Sequence, residues 1–358
     1  MKNRLNFFNG LSNPTLLLII FIFFFIKIFY FILIKNDYIA INFSGGNDSE
    51  YYHAYALGYY NSATSSWPIL LKNLNNLGLY SREVVSYLLL ILNLIIIPIL
   101  LIKVSEINFV GSQKNSFYMV LLCLIYPTLY FYTFDIFRDV FMVSIFLVGC
   151  FIVKKTINSS SFPIFSFFFF LSVLMGLYLL SLRIYLGYAF LLSLFLWKIK
   201  FTKKRLIFLT ILYFFFLFFA NYFGFFEHLT EYRTGFEEGE AGSTLGLDFS
   251  NPVMFIPNFI LSTLGQLFGL YIINPLAILL FLIETIPFVF MFLYIIKNIR
   301  LADGFVRFLI IFFVIYASIW LIGNDNLGTA VRLRMYNYFA VYICFFYILR
   351  LKTHLRLH

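Results

Sequence analysis

The sequence predicts an all-α polytopic membrane protein with about ten transmembrane helices, and three observations lead to this prediction. Of the 358 residues, 62% are hydrophobic and only 12% are charged, whereas soluble domains carry charge on about a quarter of their residues. Apolar windows of about 20 residues, the length that crosses a hydrocarbon layer, recur along the whole chain. Lysine and arginine are also distributed unevenly between the connections, which is typical of membrane proteins.

Ten segments are predicted to span, and they leave no room for a separate soluble domain, so residues 1–358 form one integral membrane domain. The segments are 14–35, 84–102, 117–133, 139–153, 161–181, 184–198, 206–226, 276–296, 304–322 and 335–350. The stretches Phe117–Lys155 and Ser160–Lys200 are each about twice too long for one helix. Because charge interrupts the first near Arg138 and the second at Arg183, we divide each into a helical hairpin.

Cations predict the orientation of these helices. With the amino terminus inside, 17 of the 26 lysines and arginines lie on the cytoplasmic side and 8 on the outer side, while Lys27 lies within the first helix. This bias places both termini in the cytoplasm, and the bacterial inner membrane is the expected location. The net charge of +10 is then an anchoring pattern, so we expect the lipid bilayer and no nucleic acid as a partner.

Residues 253–273 are apolar enough to span, yet a helix crossing here would move Lys297 and Arg300 to the outer side. Pro257, Gln266 and two glycines interrupt the segment, which suits backbone that lines a cavity better than a lipid-exposed helix. We therefore predict a re-entrant or interfacial element, and an eleventh transmembrane helix is the alternative.

Two outer connections, at about 36–83 and 227–252, are longer than the others. Long connections without secondary structure of their own are commonly functional. The first contains a Gly-Gly-Asn-Asp-Ser-Glu run followed by tyrosines and His53, and the second contains Glu231-Tyr232-Arg233. We therefore expect the functional residues on the outer side.

The choice of cation differs between the two sides. Lysine outnumbers arginine eleven to six on the cytoplasmic side, whereas arginine outnumbers lysine six to two outside. Because a guanidinium group is a rigid fork of donors that binds phosphate in a bidentate way, this reversal predicts a diphosphate site outside. The candidates are Arg138, Arg183, Arg233, Arg332 and Arg334. The alternative is that they anchor helix ends or pair with carboxylates, as Arg138 would with Asp135 or Asp139.

Several short motifs occur in a fixed order along the chain. They are Gly45-Gly46-Asn47-Asp48-Ser49, Tyr126-Pro127, Phe137-Arg138-Asp139, Arg183, Tyr232-Arg233, Gly242-Ser243-Thr244-Leu245-Gly246 and Gly328-Thr329-Ala330-Val331-Arg332-Leu333-Arg334. Their order and the ten-helix layout resemble the Wzy-type O-antigen (oligosaccharide repeat-unit) polymerase family, which is related to EpsG-like polysaccharide polymerases. The resemblance spans most of the chain.

The resemblance implies an enzyme that transfers a growing glycan from undecaprenyl diphosphate to a lipid-linked repeat unit at the periplasmic face, beside a polysaccharide chain-length regulator. Such a transfer needs fixed positive charge for the leaving diphosphate and a base, or an orienting acceptor, for the acceptor hydroxyl. Asp48 is the first candidate for the base, followed by Glu50, His53 and Asp139. The alternative for Asp48 is a turn residue within Asn-Asp-Ser.

Other classes of protein remain open. A lipid-linked oligosaccharide flippase or transporter would have ionisable residues at the membrane midplane, where the sequence offers chiefly Lys27 and Glu284. Another membrane-embedded polyprenyl-phosphate-sugar glycosyltransferase, or a sugar O-acyltransferase, is a further alternative. The sequence has no nucleotide-binding glycine loop, no His-Glu-x-x-His and no Cys/His cluster, so we expect no cofactor and no metal. The three cysteines are expected to be packing residues.

Overall fold

The computed structural model describes residues 10–39, 47–107, 112–238 and 243–354, and these residues are almost entirely helical. In chain order they form α1 (Asn13–Lys35), α2 (Asn47–Ala56), α3 (Ser66–Asn76), α4 (Arg82–Val104), α5 (Gln113–Ile125), α6 (Pro127–Phe131), α7 (Arg138–Ile157), α8 (Phe162–Leu182), α9 (Ile184–Leu196), α10 (Lys203–Tyr222), α11 (Glu227–Glu238), α12 (Pro252–Leu267), α13 (Pro275–Lys297), α14 (Gly304–Gly323) and α15 (Leu327–His354). One antiparallel bridge joins Thr244 to Asn326, and the described ranges contain no strand. The all-α prediction is confirmed for this part of the chain.

Seven helices of the described part are long and apolar enough to cross a membrane, namely α1, α4, α7, α8, α10, α13 and α14. These are the helices of a polytopic membrane protein, as the hydropathy of the sequence predicts. Three other predicted segments look different. α9 has only 13 residues, the segment 117–133 is divided at Tyr126 into α5 and α6, and α15 extends over 28 residues.

Local chemistry determines where several helices begin. The side chains of Ser12, Ser81, Asn274 and Asp303 accept hydrogen bonds from the first turns of α1, α4, α13 and α14. These bonds satisfy backbone N–H groups that have no partner within the helix. Proline lies in the first two positions of α1, α12 and α13. Backbone N–H groups at these positions have no acceptor within the helix, so proline costs no helical hydrogen bond there.

The corner between α8 and α9 is a tight helical hairpin. Arg183 is the one residue between the two helices, and its backbone is extended, with φ −154° and ψ 115°. A Cβ on Gly187 would come within 2.2 Å of the Cα of Leu180. The two helices can therefore meet this closely only because α9 has a glycine at this point. The chain divides at Arg183, as its charge predicts, and α7 likewise begins at Arg138.

α14 and α15 lie at the centre of the bundle, and α1 and α10 lie at its periphery. In the most apolar window of α14, 67% of the residues are buried, compared with 11% for α10. α15 is buried over nearly its whole length from Leu333 to Ile348. α10 exposes large apolar side chains such as Phe208 and Phe216, which suits contact with hydrocarbon and not with water.

The two long connections contain helices, which differs from the irregular loops suggested by their polar composition. α2 and α3 lie within 36–83, and α11 lies within 227–252. α3 buries Trp67 and Leu71 on one face, so a single apolar stripe is sufficient to hold it on the bundle. Gly45, Gly46, Glu240 and Gly242 lie outside the described residues.

α12 is an apolar helix that is shorter than the seven long ones. The helix has 16 residues and is about 24 Å long. A Cβ on Gly269, just after it, would lie 2.8 Å from Nη1 of Arg334 and 3.1 Å from Oγ1 of Thr285, so Gly269 is level with the middle of α13. Irregular chain then leads to Asn274, which caps the start of α13.

Candidate functional site

Five of the nine residues proposed from the sequence meet at one end of the bundle. We call Asp48, Arg138, Asp139, Arg183 and Arg332 the arginine–aspartate cluster. They belong to α2, to the start of α7, to the corner between α8 and α9, and to the first turns of α15. Four separate parts of the chain thus converge on one group of charges.

Asp139 is the fixed centre of the cluster. It is fully buried in the first turn of α7, where the positive end of the helix dipole favours a carboxylate. Its Oδ2 accepts a hydrogen bond from Nη2 of Arg332 at 2.8 Å, and its Oδ1 lies 3.4 Å from Nη2 of Arg183. Because both carboxylate oxygens are engaged, Asp139 holds two guanidinium groups in place.

Arg332 connects the buried part of the cluster to its exposed part. Its Nη1 lies 2.9 Å from Oδ2 of Asp48, whose side chain is 42% exposed, while its Nη2 binds Asp139. The guanidinium carbon lies 5.0 Å from the centre of the Tyr132 ring, a cation–π contact. The remaining donor of Arg332, Nε, is buried without a hydrogen-bond partner among the described residues.

Arg138 and Arg183 complete the cluster at the hairpin corner. Nη1 of Arg138 donates to the carbonyl of Leu182, the last residue of α8, at 3.0 Å, where helix carbonyls lack a helical partner. Nε of Arg138 is buried and has no partner in the part of the chain described. Arg183 is adjacent to the hydroxyls of Tyr316 and Tyr336.

Tyrosines surround these charges. The sequence drew attention to those of the first long connection, such as Tyr52, but not to Tyr132, Tyr316 or Tyr336. Tyr52 of α2 is buried beside Arg138, Arg332 and Asp48. Burial raises the pKa of Tyr52 to about 12, so its hydroxyl remains protonated and can donate a hydrogen bond at neutral pH. The chain has 26 tyrosines, and residue type alone therefore could not identify those that line the site.

The arginine–aspartate cluster keeps an excess of positive charge. Three guanidinium groups share two carboxylates, which leaves one net positive charge. At least two guanidinium N–H donors, on Arg138 and Arg332, have no acceptor among the residues that the structure describes. Buried donors without acceptors cost about 1–3 kcal/mol each, so an anionic ligand with several oxygens would be bound favourably. Phosphate fits this requirement because guanidinium groups bind it through paired hydrogen bonds.

Glu50 and His53 lie on the same helix as Asp48 but outside the cluster. Oε1 of Glu50 accepts a hydrogen bond from Arg82 at 2.6 Å, and Arg82 also binds both oxygens of Asp135. Burial alone would raise the pKa of Asp135, but the bonds from Arg82 hold that pKa below its ordinary value. Nδ1 of His53 lies 2.8 Å from the hydroxyl of Tyr80. These contacts attach α2 to the start of α4.

Arg233 lies in a separate cluster whose acceptors are all protein groups. It forms an ion pair with Asp325 and donates to the carbonyls of Leu247, Leu321 and Asn324. Its guanidinium carbon is 4.2 Å from the ring centre of Phe249. Oδ2 of Asp325 also accepts from the backbone of Gly246 at 2.9 Å. This arginine therefore joins α11, the segment after it and the end of α14.

Arg334 lies deeper in the bundle, away from the arginine–aspartate cluster. Its Nη2 lies 3.0 Å from Oε2 of Glu284, which is fully buried within α13. Oε1 of Glu284 accepts from the backbone and the hydroxyl of Thr128 at 2.9 and 2.5 Å. The five arginines proposed for one diphosphate site thus occupy three places.

Among the residues described, no three His, Cys, Asp or Glu side chains converge as metal ligands. Cys123, Cys150 and Cys344 are free and buried, which fits packing. No protein-family model matches this chain, and it has no significant similarity to a curated protein or to a solved structure.

Proposed function

We propose that this chain is a polysaccharide polymerase of the O-antigen type, which transfers a growing glycan from undecaprenyl diphosphate to a lipid-linked repeat unit at the periplasmic face of the inner membrane. The observation that supports the proposal is the arginine–aspartate cluster. It joins three guanidinium groups with spare donors, a half-exposed carboxylate and several tyrosines at one end of a membrane bundle.

Arg138, Arg183 and Arg332 are proposed to hold the diphosphate of the donor lipid. In the transfer, the bond between the anomeric carbon and the diphosphate oxygen breaks, and negative charge grows on the leaving group. Guanidinium groups already fixed by Asp139 stabilise that charge without reorganising. Arg233 and Arg334 are assigned structural roles. Arg233 binds Asp325 and backbone carbonyls, and Arg334 pairs with the fully buried Glu284.

Asp48 is proposed as the group that accepts the proton of the acceptor hydroxyl as its oxygen bonds to the anomeric carbon. Its side chain is 42% exposed, whereas Asp139 is fully buried between two arginines and cannot reach a substrate. Asp139 is therefore a positioning residue, while Glu50 and His53 position α2. The ring of Tyr132, which is partly exposed beside Arg332, is proposed to contact a sugar, and the buried Tyr52 is a positioning residue.

The proposed topology has ten transmembrane helices, both termini in the cytoplasm and α12 as a re-entrant segment. The 16-residue length of α12 and the contact of Gly269 with Thr285 support a chain that enters and leaves on one side. Cysteines introduced as Ser250→Cys and Ile273→Cys should both react with an impermeant thiol reagent from the periplasm. Reaction of only one of them from that side would restore the eleven-helix alternative.

One observation favours transport as a second candidate function. Arg334 and Glu284 form a buried ion pair within the membrane bundle, and buried ionisable residues are typical of transport paths. Yet Thr128 also binds this carboxylate, which fits a static contact between α6, α13 and α15.

Deletion of the gene, followed by gel analysis of lipopolysaccharide, distinguishes the two candidates. Loss of a polymerase leaves a single repeat unit on the lipid core, because one unit can still be exported and ligated. Loss of a flippase leaves none, because the unit stays on the cytoplasmic side. A normal ladder in the deletion strain would refute both.

A further inference from the structure

A cavity in the described part of the chain lies far from the arginine–aspartate cluster. It has a volume of about 790 Å³, which is the size of a small-molecule site. Lys154 and Arg350 line it, and they follow Arg138 and Arg332 on α7 and α15. At 1.5 Å per residue the two ends are about 24–27 Å apart, so the cavity lies at the opposite end of the helical bundle.

The lining of this cavity is divided into a basic part and an apolar part. The basic part contains Lys103, Lys154, Lys155 and Arg350, with Glu106 as its one carboxylate. Four cations and one anion leave three net positive charges. The apolar part is formed by Ile99, Ile102, Ile164, Phe151 and Phe168. A ligand that is complementary to both parts has a negatively charged group adjacent to a hydrocarbon group.

Two of these cationic side chains, Lys154 and Arg350, bind acceptors of the protein itself. Nζ of Lys154 donates to the carbonyls of Lys103 and Val104 at 2.9 and 2.8 Å, at the end of α4. Lys154 and Arg350 also share Glu106 as an ion-pair partner. They satisfy helix carbonyls and one carboxylate, and a structural role accounts for them.

Lys103 and Lys155 are not accounted for in this way. Both are exposed at the edge of the cavity, and neither has a carboxylate within ion-pair distance in the part of the chain that is described. Lys155 lies 5.6 Å from the ring centre of Phe151, so its charge stands directly over the apolar wall. Their two ammonium groups are available to an external anion.

We propose that this cavity binds the phosphate headgroup of an anionic phospholipid of the surrounding leaflet. Basic pockets between membrane helices bind such headgroups, and the isoleucine and phenylalanine wall continues toward the hydrocarbon that an acyl chain occupies. The ligand differs from the polyprenyl diphosphate of the proposed reaction, and the site lies at the other surface. In the proposed topology this surface is cytoplasmic. The cavity therefore anchors α4, α7, α8 and the end of α15 to one lipid.

The test uses the purified full-length protein, stripped of lipid in a neutral detergent, with thermal unfolding as a function of added phosphatidylglycerol. We expect saturable stabilisation by phosphatidylglycerol, and little by phosphatidylcholine at the same concentrations. Inorganic phosphate at equal concentration distinguishes a free anion from a lipid, and we expect no comparable effect from it. Equal stabilisation by phosphatidylcholine or by free phosphate would overturn the proposal.

A pair of charge-matched variants localises the site. Lys103→Gln with Lys155→Gln should weaken the apparent affinity for phosphatidylglycerol about 30-fold, at about a factor of five for each lysine. Lys198→Gln with Lys200→Gln removes two exposed lysines from the same surface outside the cavity and should change the affinity less than threefold. Equal weakening in both variants would show a general surface effect and refute the site. Both pairs replace exposed side chains, so both proteins should fold.

Discussion

Arg233 and Arg332 both form ion pairs with aspartates, but Arg233 is buried whereas Arg332 is partly exposed. The guanidinium of Arg233 donates to three backbone carbonyls and Asp325, all of which belong to the protein. Arg332 binds Asp48 and Asp139, shares Asp139 with Arg183, and retains a buried Nε that has no acceptor within the described ranges of the chain. In both places the guanidinium group acts through its planar set of N–H donors.

This difference in hydrogen-bond partners indicates which arginines stabilise the fold and which are available to bind a ligand. A guanidinium whose donors are all bound has no capacity left, and removing it strands a buried aspartate. A guanidinium group with unsatisfied donors, in a site with excess positive charge, can bind an anion that supplies the missing acceptors. Arg233 and Arg332 differ in both satisfied donors and access, because the side chain of Arg233 is 2% exposed and that of Arg332 is 14% exposed.

The largest effect is expected from breaking the Arg233 cluster. Arg233→Ala leaves Asp325 buried without its partner, and loss of one member of a buried pair costs about 3–5 kcal/mol. We expect the protein level in the membrane to fall several-fold and the unfolding temperature in detergent to drop. Arg300→Ala, at an exposed position, serves as the control. Normal abundance together with a lost polysaccharide ladder would instead assign Arg233 to ligand binding.

The second effect is expected from Arg332→Lys. The variant keeps the charge but loses the fork, and a lost hydrogen bond to a charged group of about 1.5–3 kcal/mol slows transfer by roughly one to two orders of magnitude. Protein abundance should remain near that of the wild type, which separates this result from that of Arg233→Ala. The measurements are the ladder and membrane immunoblotting, with Arg300→Lys as the control. A full ladder would exclude bidentate binding at this position.

The third prediction separates Asp48 from its helix neighbour Glu50. Asp48→Asn should abolish polymerisation at unchanged protein level, because the amide cannot accept the acceptor proton. Glu50→Gln removes an exposed partner of Arg82, which still binds Asp135. Exposed ion pairs contribute about 0–1 kcal/mol, so this variant should retain its ladder. The reverse outcome would assign the base to Glu50.

The smallest effect concerns acid stability at Asp135. The Arg82 contact holds the pKa of Asp135 below its ordinary value, so the folded state binds a proton less readily than the unfolded chain. The resulting stabilisation is complete above about pH 5, and it is lost as the pH falls through the folded-state pKa. Asp135→Asn should therefore lower the unfolding temperature at pH 7 and flatten its decline toward pH 3. Asp37→Asn, at an exposed position, should leave the profile unchanged.

Hydropathy was sufficient to predict most of the helices, because the transfer of a side chain into hydrocarbon depends chiefly on that side chain. α1, α4, α7, α8, α13 and α14 begin and end within about four residues of the predicted bounds. α2, α3 and α11 were missed because short helices in polar connections depend on packing and have little signal of their own. Of the five arginines selected by the reversal from lysine, three lie together at one end of the bundle, and Arg233 and Arg334 lie elsewhere.

What the sequence by itself determined is the membrane class, the position of most spans and the residue types available at each end, since each follows from local composition. Only the tertiary structure decided which arginine meets which acceptor. Arg332 and Asp139 are 193 residues apart, and Arg233 reaches the carbonyl of Leu321 across 88 residues. Whether a guanidinium is satisfied depends on acceptors delivered by distant helices, and no spacing along the chain records that. A guanidinium group binds strongly because it needs several acceptor oxygens at fixed angles. Its role can therefore be recognised only after the fold has brought those acceptors together.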